Sequence, residues 1–233
     1  MKNLLLFCII TLATVSCSLG RKMPDNVLKV KKTEDGLLVH FDDKELFYVT
    51  TSDFDYKSRY ATLKKLALLE SNVNIVDTYG VSLLAYAAAN GDADFVATIL
   101  KQQDGPLILD NPDREEAPPV YLASHPIELA ILNGHYDVLK LLLENGYKPC
   151  CVAACIGHDR LDMLKLMCEH GAIIDDNSVC WAPPLICCAK SSSMVEYLVS
   201  KGCSIHKALT YAKSNYSKQE LTRLELLINK ATY

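Results

Sequence analysis

The sequence predicts a mainly α fold built from repeated helix pairs, preceded by a small β-leaning N-terminal segment. Three observations lead there. Phe95, Val96, Ile99 and Leu100 recur at i, i+1, i+4 and i+5, which lines one face of a helix. Just upstream, the small residues Ala87 and Ala88 let a preceding helix approach closely, and Gly91 supplies the backbone freedom of a tight interhelical turn. The same grammar then returns along the chain, and a recurring unit makes one elongated domain with a continuous core. Half of the 233 residues are apolar, ample for such a core.

Residues 77–100, DTYGVSLLAYAAANGDADFVATIL, hold the first full unit. Asp77 and Gly80 open a turn, Ser82-Leu83-Leu84-Ala85 begins a helix, and Ala87-Ala88-Ala89-Asn90-Gly91-Asp92 closes it. This stretch resembles one ankyrin repeat, whose pattern runs D-x-x-G-x-T-P-L-H-x-A-A-x-x-G-H with a period of about 33 residues. Asp92 stands where the pattern has His. The second unit spans His125-Pro126-Ile127-Glu128-Leu129-Ala130-Ile131-Leu132-Asn133-Gly134-His135, followed by Val138, Leu139, Leu141, Leu142, Leu143 and Gly146. A third is aligned on Lys148-Pro149-Cys150-Cys151 as T-P-L-H and Gly157-His158 as G-H, with Met163, Leu164, Leu166 and Met167 in its second helix. The fourth begins at Pro183-Pro184-Leu185-Ile186-Cys187-Cys188-Ala189 and continues through Met194, Val195, Tyr197, Leu198 and Gly202.

The ends of the resemblance are degenerate, as terminal units of a solenoid are expected to be, because one of their faces meets water. Leu63–Glu70 with Val73 and Asn74 reads as the closing half of an earlier repeat. Ala208–Ile228 reads as a capping helix pair with Lys213, Lys218, Glu220, Arg223 and Glu225 on its outer face. The resemblance thus implies an ankyrin-repeat solenoid over residues 60–230, about four repeats plus caps. Between Leu100 and His125 the linker exceeds the family's by about ten residues and carries the acidic, proline-rich DNPDREEAPP, so the second finger is expected to be an extended loop. Between Leu143 and Lys148 it is shorter by a similar amount, which removes the third finger, and about two residues are missing near Lys190-Ser191-Ser192-Ser193, which leaves the fourth interhelical turn open.

Residues 21–59 do not follow the repeat. Val27–Val30, Leu37–Phe41 and Leu46–Val49 are short β-leaning runs separated by Glu34-Asp35-Gly36 and Asp42-Asp43, which predicts a hairpin or three-stranded piece packing on the first helices.

At the N-terminus, Lys2 precedes the apolar run Leu4–Val15, too short to span a membrane and of signal-peptide length, so residues 1–20 are expected to be a targeting segment. Ala13-Thr14-Val15-Ser16-Cys17 looks like a bacterial lipobox, which implies lipidation at Cys17 and a lipid-anchored envelope protein. Ser16-x-Ser18 and Ser18-x-Gly20 serve ordinary signal cleavage and free secretion equally. The whole chain carries 24 basic and 28 acidic residues for a net charge of −4, and loss of Lys2 makes the mature chain one unit more acidic. A weakly acidic surface without a basic cluster argues against nucleic acid as a partner.

Eight of the ten cysteines, Cys150, Cys151, Cys155, Cys168, Cys180, Cys187, Cys188 and Cys203, crowd the C-terminal half. Three readings compete. Buried core thiols fit the repeat, with Cys150 at the buried Leu of T-P-L-H, Cys188 at the first Ala and Cys168 at a core Leu. Disulfides fit an exported chain, although equivalent positions on helices about 8–10 Å apart exceed the roughly 7 Å Cα separation a bridge allows, leaving offset pairs such as Cys151 with Cys187 or Cys155 with Cys188. A zinc site from Cys150, Cys151, Cys155, His158, Cys168 and His170 lacks the Cys-x-x-Cys pairs of structural zinc.

Catalytic constellations are thin, and no enzyme or cofactor is expected. His135 and His158 are assigned to the structural Gly-His turn, and His125 with Glu128 lacks a neighbouring nucleophile. Ankyrin repeats bind through finger tips and the exposed side of each first helix, so the resemblance implies a monomeric module for another protein, with Thr78, Tyr79, Val81, Asn90, Asn133 and Trp181 as contacts. Ala89, Ser124, Leu132, Val179, Cys180 and Ala182 share that face, and Asp113, Glu115 and Glu116 contribute from the acidic loop. Trp181, the only Trp, is of the type that forms binding hot spots, or else folds over Pro183 and Pro184 to seal a finger. The alternative function is a cysteine-dependent metal-binding or redox protein of the envelope.

Overall fold

The computed structural model describes residues 27–32, 36–41, 44–49, 56–70, 72–77, 81–103, 125–174 and 183–232. The expected signal segment and Cys17 lie outside them. The first described elements are three strands, β1 (Val27–Lys32), β2 (Gly36–Phe41) and β3 (Lys44–Val49), paired antiparallel in sequence order. A fourth strand, β4 (Ile75–Asp77), joins them by pairing parallel to β3, with Phe47 opposite Ile75 and Val49 opposite Asp77. The sequence predicted three strands at most. The fourth comes from the solenoid, where Asp77 had been read only as the opening of a turn. Helix α1 (Tyr56–Glu70) forms the crossover between β3 and β4, as parallel pairing requires.

Ankyrin-type helix pairs follow. The first is α2 (Leu83–Asn90) and α3 (Ala93–Gln102), the second α4 (Pro126–Asn133) and α5 (Tyr136–Glu144), the third α6 (Val152–Gly157) and α7 (Leu161–Glu169). In the fourth, a 3₁₀ turn at Leu185–Cys188 stands where the other units have an α-helix, and α8 (Ser192–Ser200) closes the unit. A 3₁₀ turn rises ~2.0 Å per residue against ~1.5 Å for an α-helix, so it partly recovers the length lost with the two missing residues. The stack ends on α9 (Ile205–Asn215) and α10 (Lys218–Thr232), the expected capping pair. Ala208, Ala212, Leu224 and Ile228 face inward there, while Lys213, Lys218, Glu220, Arg223 and Glu225 are exposed.

One core runs through all of this, from Leu63 and Ala67 on α1 through Leu83, Leu84 and Ile99, Ile127, Leu139 and Leu142, Ile156 and Leu164, to Leu198. The small residues behave as the sequence implied: Ala87, Ala88 and Ala130 are completely buried between neighbouring helices.

The third unit departs from its predicted register by two residues. In the first two units the turn residues sit in the left-handed region at Gly91 (φ 70°) and Gly134 (φ 77°), and the following amides bond Ala87 O and Ala130 O. The equivalent bonds in the third unit run from Asp159 N to Ile156 O and from Arg160 N to Cys155 O, with Asp159 at φ 56°. Asp159-Arg160 therefore occupies the Gly-His turn, not Gly157-His158, and His158 is an exposed cap residue of α6. The same shift moves Cys150 from the Leu position of T-P-L-H to the Thr position, where it is half-buried, and puts Cys155 at the fully buried first Ala. Cys168 and Cys188, predicted as core thiols, are half-buried as well.

Candidate protein-binding surface

The interhelical turns are tied to one another along one edge of the stack. Asp92 caps α3 by accepting from Phe95 N–H at 3.2 Å, accepts from Tyr60 Oη at 2.5 Å and pairs with Lys64, both on α1. In the next unit His135 Nε2 lies 3.1 Å from Ala89 O, and its ring covers Gly91 so closely that an added Cβ would fall 2.5 Å from Nδ1. Arg160 repeats the move, its guanidinium lying where a Cβ on Gly134 would meet it at 2.7 Å. Ser191 continues it by donating to Asp159 Oδ1 at 2.6 Å. Each turn from the second unit on thus reaches back to the one before, and the first reaches back to α1. The predicted role of His135 holds, whereas the role given to His158 belongs to Arg160.

Electrostatics follow the contacts. Burial pushes the Asp92 carboxyl upward, but hydrogen bonds from Lys64, Tyr60 and Phe95 N–H outweigh it and hold the group below its ordinary range. Tyr60 moves up, first because it is buried and then because it donates to a carboxylate. The Lys64 ammonium also lies 4.4 Å from the Phe95 ring centroid, a cation–π contact.

Of the sequence-predicted contact residues, Val81, Asn90 and Asn133 fall within the described part. Val81 is half-buried and packs against the core. Asn90 and Asn133 close α2 and α4 at equivalent positions, donating to Tyr86 O at 2.8 Å and Leu129 O at 2.9 Å. Asn133 is exposed, Asn90 half-buried, and beside Asn133 sits Leu132, one of the exposed large apolar side chains. Thr78, Tyr79, Asp113, Glu115, Glu116 and Trp181 lie outside the described residues, as do Ser124, Val179, Cys180 and Ala182.

A second cluster was missed by the sequence reading, which found no nucleophile beside His125 and Glu128. The first residues of the inner helices stack from unit to unit. Ser82 caps α2 by accepting Ala85 N–H at 3.0 Å, and His125 caps α4 through Nδ1, which accepts Ile127 N–H at 3.3 Å. Cys150, in the same position 25 residues on, places its Sγ 3.5 Å from His125 Nδ1 and 3.9 Å from Nε2. Cys151 Sγ lies 3.4 Å from Cys150 Sγ. It also hydrogen-bonds the Glu128 carboxyl, which burial and then Cys150 hold above the ordinary carboxylate value. Only the correct register brings Cys150 opposite His125, so a two-residue error hid the cluster.

The cysteines Cys150, Cys151, Cys155, Cys168, Cys187, Cys188 and Cys203 are thiols with no disulfide among them, the offset pairs considered above included. Burial pushes the Cys155 thiol up to about 12. Among the described residues no group of three or more His, Cys, Asp or Glu side chains is placed to hold a metal ion, so the zinc set considered above does not assemble. No described helix is long and apolar enough to cross a membrane.

The family model for ankyrin repeats (3 copies) matches residues 56–152 and 129–209. No curated protein matches the chain. The match spans more than half of the sequence and coincides with the stacked helix pairs from α1 to α9. This chain belongs to the ankyrin-repeat family, whose repeats are protein–protein interaction modules.

Proposed function

We propose that the chain is a non-catalytic, monomeric binding module that holds another protein through the exposed ends of its inner helices and through its finger loops. The observation that carries this reading is the row formed by Asn90, Leu132 and Asn133. Two amides recur at one position of the stack, with the exposed apolar side chain of Leu132 beside the second, which suits a partner recognised by shape. The family's use of its finger loops adds Tyr79, Trp181 and the acidic residues Asp113, Glu115 and Glu116 as expected contacts. Thr78 and Val81, which precede α2 in the chain, complete the expected set. The apolar leader and Ala13–Cys17 support export and attachment to a membrane through lipid at Cys17.

The test uses the full-length chain as bait in its native membrane fraction. Leu132→Glu with Asn133→Ala, and separately Tyr79→Ala with Trp181→Ala, are expected to reduce capture of the retained partner at least tenfold while circular dichroism stays unchanged. Equal capture by all variants removes this surface as the site. Intact mass then decides anchoring: acyl groups on a chain beginning at Cys17 support it, and an unmodified chain starting near Arg21 overturns it.

A further inference from the structure

We propose that Cys150 and Cys151 form a reversible redox site that closes to a vicinal disulfide with a hydroperoxide as oxidant. Four features of the cluster point there. The two sulfurs already lie 3.4 Å apart, so closure to a bond of ~2.05 Å needs a rotation of side chains and no long approach of segments. Both thiols are half-buried and therefore reachable by a small oxidant, unlike Cys155, which is completely buried. His125 is held in place by its cap bond to Ile127 N–H, and its ring lies against Cys150 Sγ, 3.5 Å from Nδ1 and 3.9 Å from Nε2, within reach to exchange a proton with the thiol. Finally, Cys151 sits in the left-handed region at φ 61°, ψ 35°, a strained conformation for a residue with a Cβ, and α6 has no side-chain cap there. Strain of this kind beside a second thiol is the sort of outlier from which a functional hypothesis is drawn.

The chemistry balances as follows. The Cys150 sulfur attacks one oxygen of the hydroperoxide, the O–O bond breaks, and the other oxygen leaves as the alcohol or as water after taking the thiol proton. Cys150 is now a sulfenic acid. Cys151 Sγ attacks the Cys150 sulfur, the S–O bond breaks, and the hydroxide takes the Cys151 proton to leave as water. Two thiols and one hydroperoxide yield one disulfide, one alcohol or water from the first step, and one water from the second. A dithiol reductant reverses the reaction by thiol–disulfide exchange.

Adjacent Cα atoms across a trans peptide stand ~3.8 Å apart, below the usual ~4.4–6.8 Å of a disulfide. The bond is therefore strained and readily reduced, as a switch requires. Closure also draws the Cys150 sulfur off the His125 ring, so the oxidised form loses that contact between the starts of α4 and α6. In the chain's own terms, the site sits at the foot of the inner helices whose other ends carry Leu132 and Asn133.

The full-length protein, reduced and then treated with hydrogen peroxide, tests this. Intact mass after alkylation should show loss of two alkylatable thiols, with fragmentation placing the linkage between Cys150 and Cys151, and dithiothreitol should restore both. Cys150→Ser and Cys151→Ser should each abolish the linkage, and His125→Gln should slow its formation severalfold while leaving its position unchanged. The proposal is overturned by alkylation of both thiols after peroxide, by a linkage to any other cysteine, or by sulfinic acid at either residue without a disulfide. The wild-type measurement stands even where a variant fails to fold.

Discussion

The first two helix pairs and the last two solve the same packing problem with different materials. In the first two, a left-handed turn residue is glycine, Gly91 or Gly134, and of the residues that follow, Asp92 caps α3 while His135 reaches back to Ala89 O. In the third the left-handed turn position falls to Asp159, and Cys151 at the start of α6 is left-handed as well, and in the fourth a 3₁₀ turn stands in for the first helix of the pair. What survives in both halves is the backward reach of each turn, through Asp92, His135, Arg160 and Ser191 in succession. The difference teaches that the solenoid needs its unit-to-unit contact more than it needs the residue types that usually supply it.

Core truncation is the strongest way to probe the contrast. Leu142→Ala on α5, at a position with no exposure, is expected to cost about 2–5 kcal/mol in urea denaturation. Ile186→Ala in the 3₁₀ turn is equally buried but sits in a short segment with more room to collapse, and should fall at the lower end of that range. Equal costs at the two sites would mean that the fourth unit is packed as firmly as the second.

Glycine substitution comes next. Gly91→Ala meets both a left-handed φ and the His135 ring, and should cost about 1–3 kcal/mol in thermal unfolding. Gly146 also has a positive φ but nothing within 4 Å of an added Cβ, so Gly146→Ala should cost only about 1–2 kcal/mol. If His135→Ala relieves Gly91→Ala, the clash and not the backbone is the larger part.

The smallest effect belongs to Asp92. Tyr60→Phe should lose about 0.5–1.5 kcal/mol, since the hydroxyl donates to Asp92 at 2.5 Å. The folded carboxyl titrates below its ordinary value of 3.8, so the unfolded chain binds the proton first and stability is lost as pH falls through that range. Above it the contribution is complete and flat. Asp92→Asn should flatten the acid limb of a stability–pH profile, and an unchanged limb would show that Asp92 does not govern it.

Much of this was legible before the structure. Gly91 and Gly134 announced their turns because glycine followed by Asp or His sits at the end of an apolar helix pattern, and Ala87, Ala88 and Ala130 announced close helix approach. The third unit misled because Gly157-His158 matches the motif by identity, while stacking on Gly134 selects Arg160 two residues later. Tertiary contact decided that register, and no local signal carries it. The redox cluster was hidden for the same reason. The β3–β4 pairing was illegible because Ile75–Asp77 is too short to read as a strand alone and is made one by its partner.

That pairing has a consequence for solubility. A short strand at the head of a solenoid offers a row of peptide groups on which another chain can grow, and here the meander occupies it. The sheet order leaves β1, VLKVKK, and β4 as its two edge strands, and the three lysines in the β1 sequence are of a residue type that disfavours edge-to-edge pairing. Pairing with β3 thus leaves β4 one open edge where an isolated strand has two.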